Sequence, residues 1–290
     1  MSPVIPASFL AGIRLASNNG TVVAAAYAAT LAGAFVPTAA AVRELLASTG
    51  HGFTPASGPR GLDGALALDL VGDLHLEQWI GLALFMMVWT GVTGGALAHF
   101  ARDDGSRASL GMLAGDGVRL LPPLLILSAI SAAAAAALGF AHAGTEGILL
   151  TRLDHWEGER TAAAARAALG IAFLGAIAVG SSVMRFARVE LVAGPDRGIA
   201  RGIVAGLGIL RRHPAAVLGL QATGWGSGLF LIAAFSWIPL EAPVEAGLGR
   251  VIVVLAMSQV AVFLHAGLRI AVIAAELTLW RRFRVGLAAA

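Results

Sequence analysis

The chain has 290 residues, of which 58% are hydrophobic and 13% charged, with a net charge of +3 and no Cys. So low a charged fraction, with apolar runs long enough to cross a bilayer, excludes an ordinary soluble domain, and the missing Cys excludes structural disulfides and thiolate metal sites. The pI near 10.8 comes from arginine alone, because all twenty basic residues are Arg, a bias read as GC-rich coding; with the arginines at the ends of apolar runs, nucleic acid is excluded as a partner.

The pattern predicts an all-α, polytopic integral membrane protein: one membrane domain over 1–290 with six transmembrane helices and both termini cytoplasmic. The N-terminal stretch has no basic region followed by an apolar run and a cleavage site, so the first span is expected to act as its own insertion signal. Residues 6–18, with Phe9, Leu10, Ile13 and Leu15 around Arg14, predict a short interfacial helix on the cytoplasmic face. Asn18, Asn19 and Gly20 break it. The first span is predicted over 21–42, rich in Ala and other small residues that allow close helix contact in lipid. A long polar connection over 43–75 follows, including a Pro/Gly/Ser loop and a short surface helix at 62–74.

The second span is predicted over 79–100. Gly91 and Gly95 form a GxxxG pair beside Gly94, which predicts a packing face against another helix. A short basic loop with Arg102 and Arg107 leads to the third span at 120–141, where Pro122 and Pro123 are expected in the first turn. An outer loop at 143–159 precedes the fourth span at 163–184. The inner connection 185–214 then carries Arg185, Arg188, Arg197, Arg201, Arg211 and Arg212. Within it, Gly198, Gly202 and Gly206 make a double GxxxG. They predict a glycine-faced amphipathic helix packed under the bundle or leading into the fifth span.

The fifth span is predicted over 215–240 and the sixth over 251–272. The sixth apolar run continues to Trp280, about 45 Å of helix against a hydrocarbon core of about 30 Å. Its last turns are therefore expected to emerge into the cytoplasm at Arg281, Arg282 and Arg284. This arrangement places thirteen arginines inside and six outside, with Arg269 within the sixth span. The excess on one side predicts the orientation by the positive-inside rule.

The Gly94–Gly95 pair in TGGALAHFARDDG, followed by GDGVRLLPPLL, resembles a family of uncharacterised bacterial six-span inner-membrane proteins. Asp196-Arg197-Gly198-Ile199-Ala200-Arg201 loosely matches that family's D-x-A-R inner connection. Gln259, Arg269 and Ala274-Ala275 match its last span. The resemblance implies the six-span architecture and a bacterial inner (cytoplasmic) membrane location; it implies no reaction.

Two groups of residues carry candidate chemistry. In the sixth span Ser258, His265, Arg269 and Glu276 recur at seven, four and seven residues, with Gln259 adjacent, so they share one helix face. Ionisable groups at membrane depth mark a binding site or pathway. The competing reading is that Arg269 snorkels to the inner boundary while Glu276 already lies in the cytoplasm. The second group is Asp69, Asp73, His75 and Glu77 with His142, Asp154 and His155. They could supply metal ligands from two outer loops, but no HExxH or comparable spacing accompanies them, and a solvated acidic face is the preferred explanation. Haem would need His inside two helices, and no phosphate-binding loop or nucleophile elbow occurs, so no cofactor and no resident metal are expected.

These features point to a non-enzymatic membrane component, a permease-like subunit or a scaffold for a membrane partner. The alternative is a membrane enzyme with an outward-facing acidic or metal site. The expected partners are the lipid bilayer and a membrane protein or a second copy; any ligand held at Arg269 is expected to be an anionic lipid headgroup or a small anion.

Overall fold

The computed structural model describes residues 4–33, 76–102, 107–153, 159–194, 198–241 and 247–288. The described residues are helical and contain no strand. In chain order the helices are α1 (Val4–Asn18), α2 (Gly20–Gly33), α3 (Leu76–Arg102), α4 (Leu110–Leu153), α5 (Glu159–Ala193), α6 (Ile199–Arg212), α7 (Pro214–Glu241) and α8 (Gly247–Ala288). Five of them (α3, α4, α5, α7 and α8) contain stretches long and apolar enough to cross a membrane. The predicted first span is described only as the 14 residues of α2, and 34–42, like the connection 43–75, lies outside the described residues.

Four pairs of successive helices run antiparallel, with contacts pairing residues whose numbers rise on one helix and fall on the next. Gly33 meets the Phe85 ring and Asn19 meets His99, pairing α2 with α3. Gly95 lies against the backbone of Leu113, and Gly117 against that of Gly91, pairing α3 with α4. His142 stacks on Phe173 while Arg188 reaches Ser128, pairing α4 with α5. Gly224 faces Val272 and Gly228 faces His265, pairing α7 with α8. The last helix returns to the first: Gly12 of α1 sits against Ala271 and Ala275, and Tyr27 of α2 donates to Gln259 Oε1 at 2.8 Å.

Asn19 joins α1 to α2. Its Nδ2 donates to the Leu15 carbonyl at 2.9 Å, closing the end of α1, while its backbone carbonyl accepts from Val22 and starts α2. With Nδ2 so engaged, Oδ1 is left to accept from His99 Nε2 at 3.0 Å, which sets the proton on that ring nitrogen.

The core gathers at one end of the bundle. Val22, Ala26, Leu97, Phe186, Leu220, Ile270 and Leu277 are buried there. Arg281 donates to the carbonyls of Phe100 and Ala101 at 2.9 and 3.1 Å, satisfying the open end of α3. Glu190 is paired with Arg284 and accepts from Trp280 Nε1 at 2.8 Å, tying α5 to α8. Arg102 pairs with Asp116 across the α3–α4 turn. The other ends of α4 and α5 are far less covered: only 11% of the residues in their apolar windows are buried, against 50% in α3 and 44% in α8.

Four sequence expectations are revised. The helix expected at the interface, α1, buries Ile5, Ser8, Gly12 and Ala16, which makes it part of the bundle, although Leu10 and Ile13 remain exposed. The helix of the predicted third span, α4, starts at Leu110, not near 120, because Ser109 Oγ accepts from the Met112 N–H and initiates it early. Pro122 and Pro123 therefore lie inside the helix rather than in its first turn, and the Val118 and Arg119 carbonyls lose their usual N–H donors. The inner connection is not a loop from residue 185. Helix α5 runs on to Ala193, since no breaker occurs before Gly194, and Arg185 and Arg188 lie on it.

Candidate functional site

Helices α3, α4, α5, α7 and α8 enclose a cavity of about 520 Å³ near the covered end of the bundle. Its ionisable groups come from two helices. From α8 come His265, Arg269 and Glu276, and from α5 come Arg185 and Arg188. Spacing explains both sets: residues four and seven apart in α8, and three apart in α5, fall on the same side of a helix.

Glu276 is 6% exposed, and it accepts from Arg185 Nη1 at 2.9 Å. Arg188 reaches across to the Ser128 hydroxyl at 3.4 Å. Arg269 lies over the Trp89 ring, its guanidinium carbon 5.0 Å from the ring centroid. That arrangement combines cation–π attraction with cover for the long side chain. Three guanidinium groups thus line one cavity with a single carboxylate, a formal excess of two positive charges. Trp225, Leu229 and Ile232 of α7 and Leu124 of α4 form much of the remaining wall.

The helix face inferred from the sequence divides into two parts. His265, Arg269 and Glu276 meet at the cavity. Gln259 instead accepts from Tyr27, and Ser258 is exposed and outside the cavity lining. His265 Nδ1 is buried with no hydrogen-bond partner among the described residues. The sequence pattern places Arg185 and Arg188 in the inner connection rather than at a site, and does not single out Trp89. The available signal was the uninterrupted helical run from Met184 to Ala193, with Arg185 and Arg188 three apart.

The predicted glycine contacts also divide. Gly95 is pressed against Leu113, and the Gly91 carbonyl stands where a Cβ on Gly117 would lie, although a Cβ on Gly91 itself would meet only Leu121 at 3.9 Å; Gly202 and Gly206 of α6 lie against the Ala187 and Val183 carbonyls of α5. Gly198 takes no part in that contact: the nearest atoms to a Cβ there would be its neighbour Arg201's own side chain, at 3.9 Å. Because Gly202 and Gly206 bury one face of α6, Val204 and Leu207 are left exposed beside Arg201 and Arg211.

Of the candidate metal ligands, Asp69, Asp73, His75, Asp154 and His155 lie outside the described residues, as does the side chain of Glu77. His142, the remaining member, stacks on Phe173 and stands 3.8 Å from Glu146. No group of three or more potential metal ligands occurs among the described residues. No family model, curated protein or solved structure matches the chain.

Proposed function

We propose that this chain is a non-enzymatic, permease-like component of a bacterial inner membrane, with six spans, both termini cytoplasmic, and an anion-binding cavity inside the bundle. The single observation that carries the anion reading is the convergence of Arg185, Arg188 and Arg269 on one cavity with only Glu276 to balance them. Buried cationic groups are costly in a membrane interior and are retained where they meet a ligand or line a pathway. Direct anion titration tests it. Phosphate or sulfate should bind purified protein, and Arg269→Ala should weaken binding by about tenfold, the loss expected for a charge-assisted contact. Unchanged affinity in that variant would remove the reading.

The orientation is supported by the arginine asymmetry. With Arg185 and Arg188 counted as cavity residues, eleven arginines on the inner side still face six on the outer. A single Cys introduced at Asp196 should resist an impermeant thiol reagent in intact cells; labelling there would reverse the topology. The reading as a membrane enzyme rests on the outer acidic residues alone, and stoichiometric transition metal in purified protein would favour it.

A further inference from the structure

We infer that the cavity takes an amphipathic anion, a phosphate-type headgroup carrying an apolar tail, with the tail leaving along α7 toward the bilayer. This deepens the anion-binding reading above and rests on it.

Size is the first argument. At about 520 Å³ the cavity lies within the range of sites for organic ligands, and a bare inorganic anion would leave most of it empty. Charge is the second. Among the described residues Glu276 is engaged by Arg185, while Arg188 bonds only the Ser128 hydroxyl and Arg269 only faces Trp89. Glu276 also attracts Arg188 electrostatically, but among the described residues neither Arg188 nor Arg269 hydrogen-bonds a carboxylate, and the planar fork matches the oxygens of a phosphate-type group.

The wall supplies the third argument and separates an amphiphile from a water-soluble anion. Leu229 and Ile232 line the cavity yet are 67% and 56% exposed, and Trp225 is 39% exposed. The α7 side is thus open as well as apolar. In a membrane that side borders hydrocarbon, from which an apolar tail can enter without crossing water. An indole at such an opening offers an apolar body with one polar N–H, suited to the junction between headgroup and tail.

The test uses the full chain in nanodiscs of zwitterionic lipid, titrated with three probes: dihexanoyl phosphatidate, inorganic phosphate and dihexanoylglycerol. Phosphatidate should bind about tenfold more tightly than phosphate, and the uncharged diacylglycerol should not bind measurably. Arg269→Ala should weaken phosphatidate and phosphate alike. Leu229→Asn, at a position 67% exposed on α7, should weaken phosphatidate severalfold and leave phosphate unchanged. If Arg269→Ala does not fold, the probe comparison and Leu229→Asn still decide the matter. Equal affinity for phosphate and phosphatidate, or no effect of Leu229→Asn, overturns the tail path while leaving the anion site standing. Diacylglycerol binding as tightly as phosphatidate overturns the amphipathic anion and the anion reading together, as does no binding of any probe.

Discussion

Near the arginine-rich end, Gly95, Gly117 and Gly206 each lie against the backbone of a neighbouring helix, so close that a Cβ would strike a carbonyl oxygen. Further along α4 and α5, Gly139, Gly144, Gly170 and Gly175 have nothing within 4 Å of where a Cβ would stand. The same residue type thus closes one half of the bundle and leaves the other half open. Burying apolar surface does not favour helix pairing in lipid, so close van der Waals fit has to do it. A glycine contributes only where a second backbone arrives. Spacing does not reveal that arrival: Gly111 and Gly115 have the same GxxxG spacing as Gly91 and Gly95, and a Cβ on either would meet nothing.

The contrast can be broken most directly by adding side chains to both halves. Gly95→Leu and Gly117→Leu should each lower stability by about 3 kcal/mol, at the upper end of overpacking costs. Gly144→Leu and Gly175→Leu should stay within about 0.5 kcal/mol of the parent. Equal unfolding midpoints in detergent for the two pairs would abolish the distinction. Gly202→Leu belongs with the first pair but should cost less than Gly206→Leu, because a Cβ at Gly202 stands 3.0 Å from the Ala187 carbonyl and the Gly206 site is tighter.

Charge sharpens the comparison at a similar scale. Glu276→Gln leaves Arg185 beside Arg188 and Arg269 with no carboxylate in the cavity, and should destabilise by about 3 kcal/mol, as breaking a buried pair does. Glu146→Gln, in an exposed contact 3.8 Å from His142, should cost about 0–1 kcal/mol by the same denaturation assay. An effect smaller than that at Glu276 is expected at Gln221, whose amide bonds Ser181 and whose Oε1 lies 2.6 Å from the Ser182 hydroxyl. Gln221→Leu should lose about 0.6 kcal/mol, the average for polar contacts between membrane helices, and no more than about 1.7 kcal/mol. Arg102→Ala, which removes a part-exposed pair with Asp116, should cost below about 1 kcal/mol.

Helix identity was legible because apolar length and the absence of breakers are local properties of the chain. The inward face of α8 was legible for the same reason: the four-residue step from His265 to Arg269 and the seven-residue step to Glu276 survive folding as one face. Ser258 and Gln259 were misplaced because a helix of 42 residues meets different neighbours along its length, and Tyr27 takes Gln259 from the other side. Arg185 and Arg188 were assigned to a connection on the expectation that a helix ends where about 20 residues have crossed the bilayer. A helix continues as long as its backbone finds no reason to stop, and α5 finds none before Gly194. The partner of Arg269 could not be read at all, because Trp89 is 180 residues away in the chain.

The pairing of α1 and α2 with α8 has a consequence for biosynthesis. Tyr27 and Gln259 are separated by 232 positions. At a translation rate of about 5–20 residues per second, roughly 10–50 seconds pass between making the first residue and making its partner. During that interval the small-residue face around Gly12 has no Ala271 or Ala275 to receive it. Ribosome-stalled chains ending before residue 259 should therefore hold their N-terminal helices in a state open to proteolysis or to chaperone capture. Release of the final helix would then close the ring.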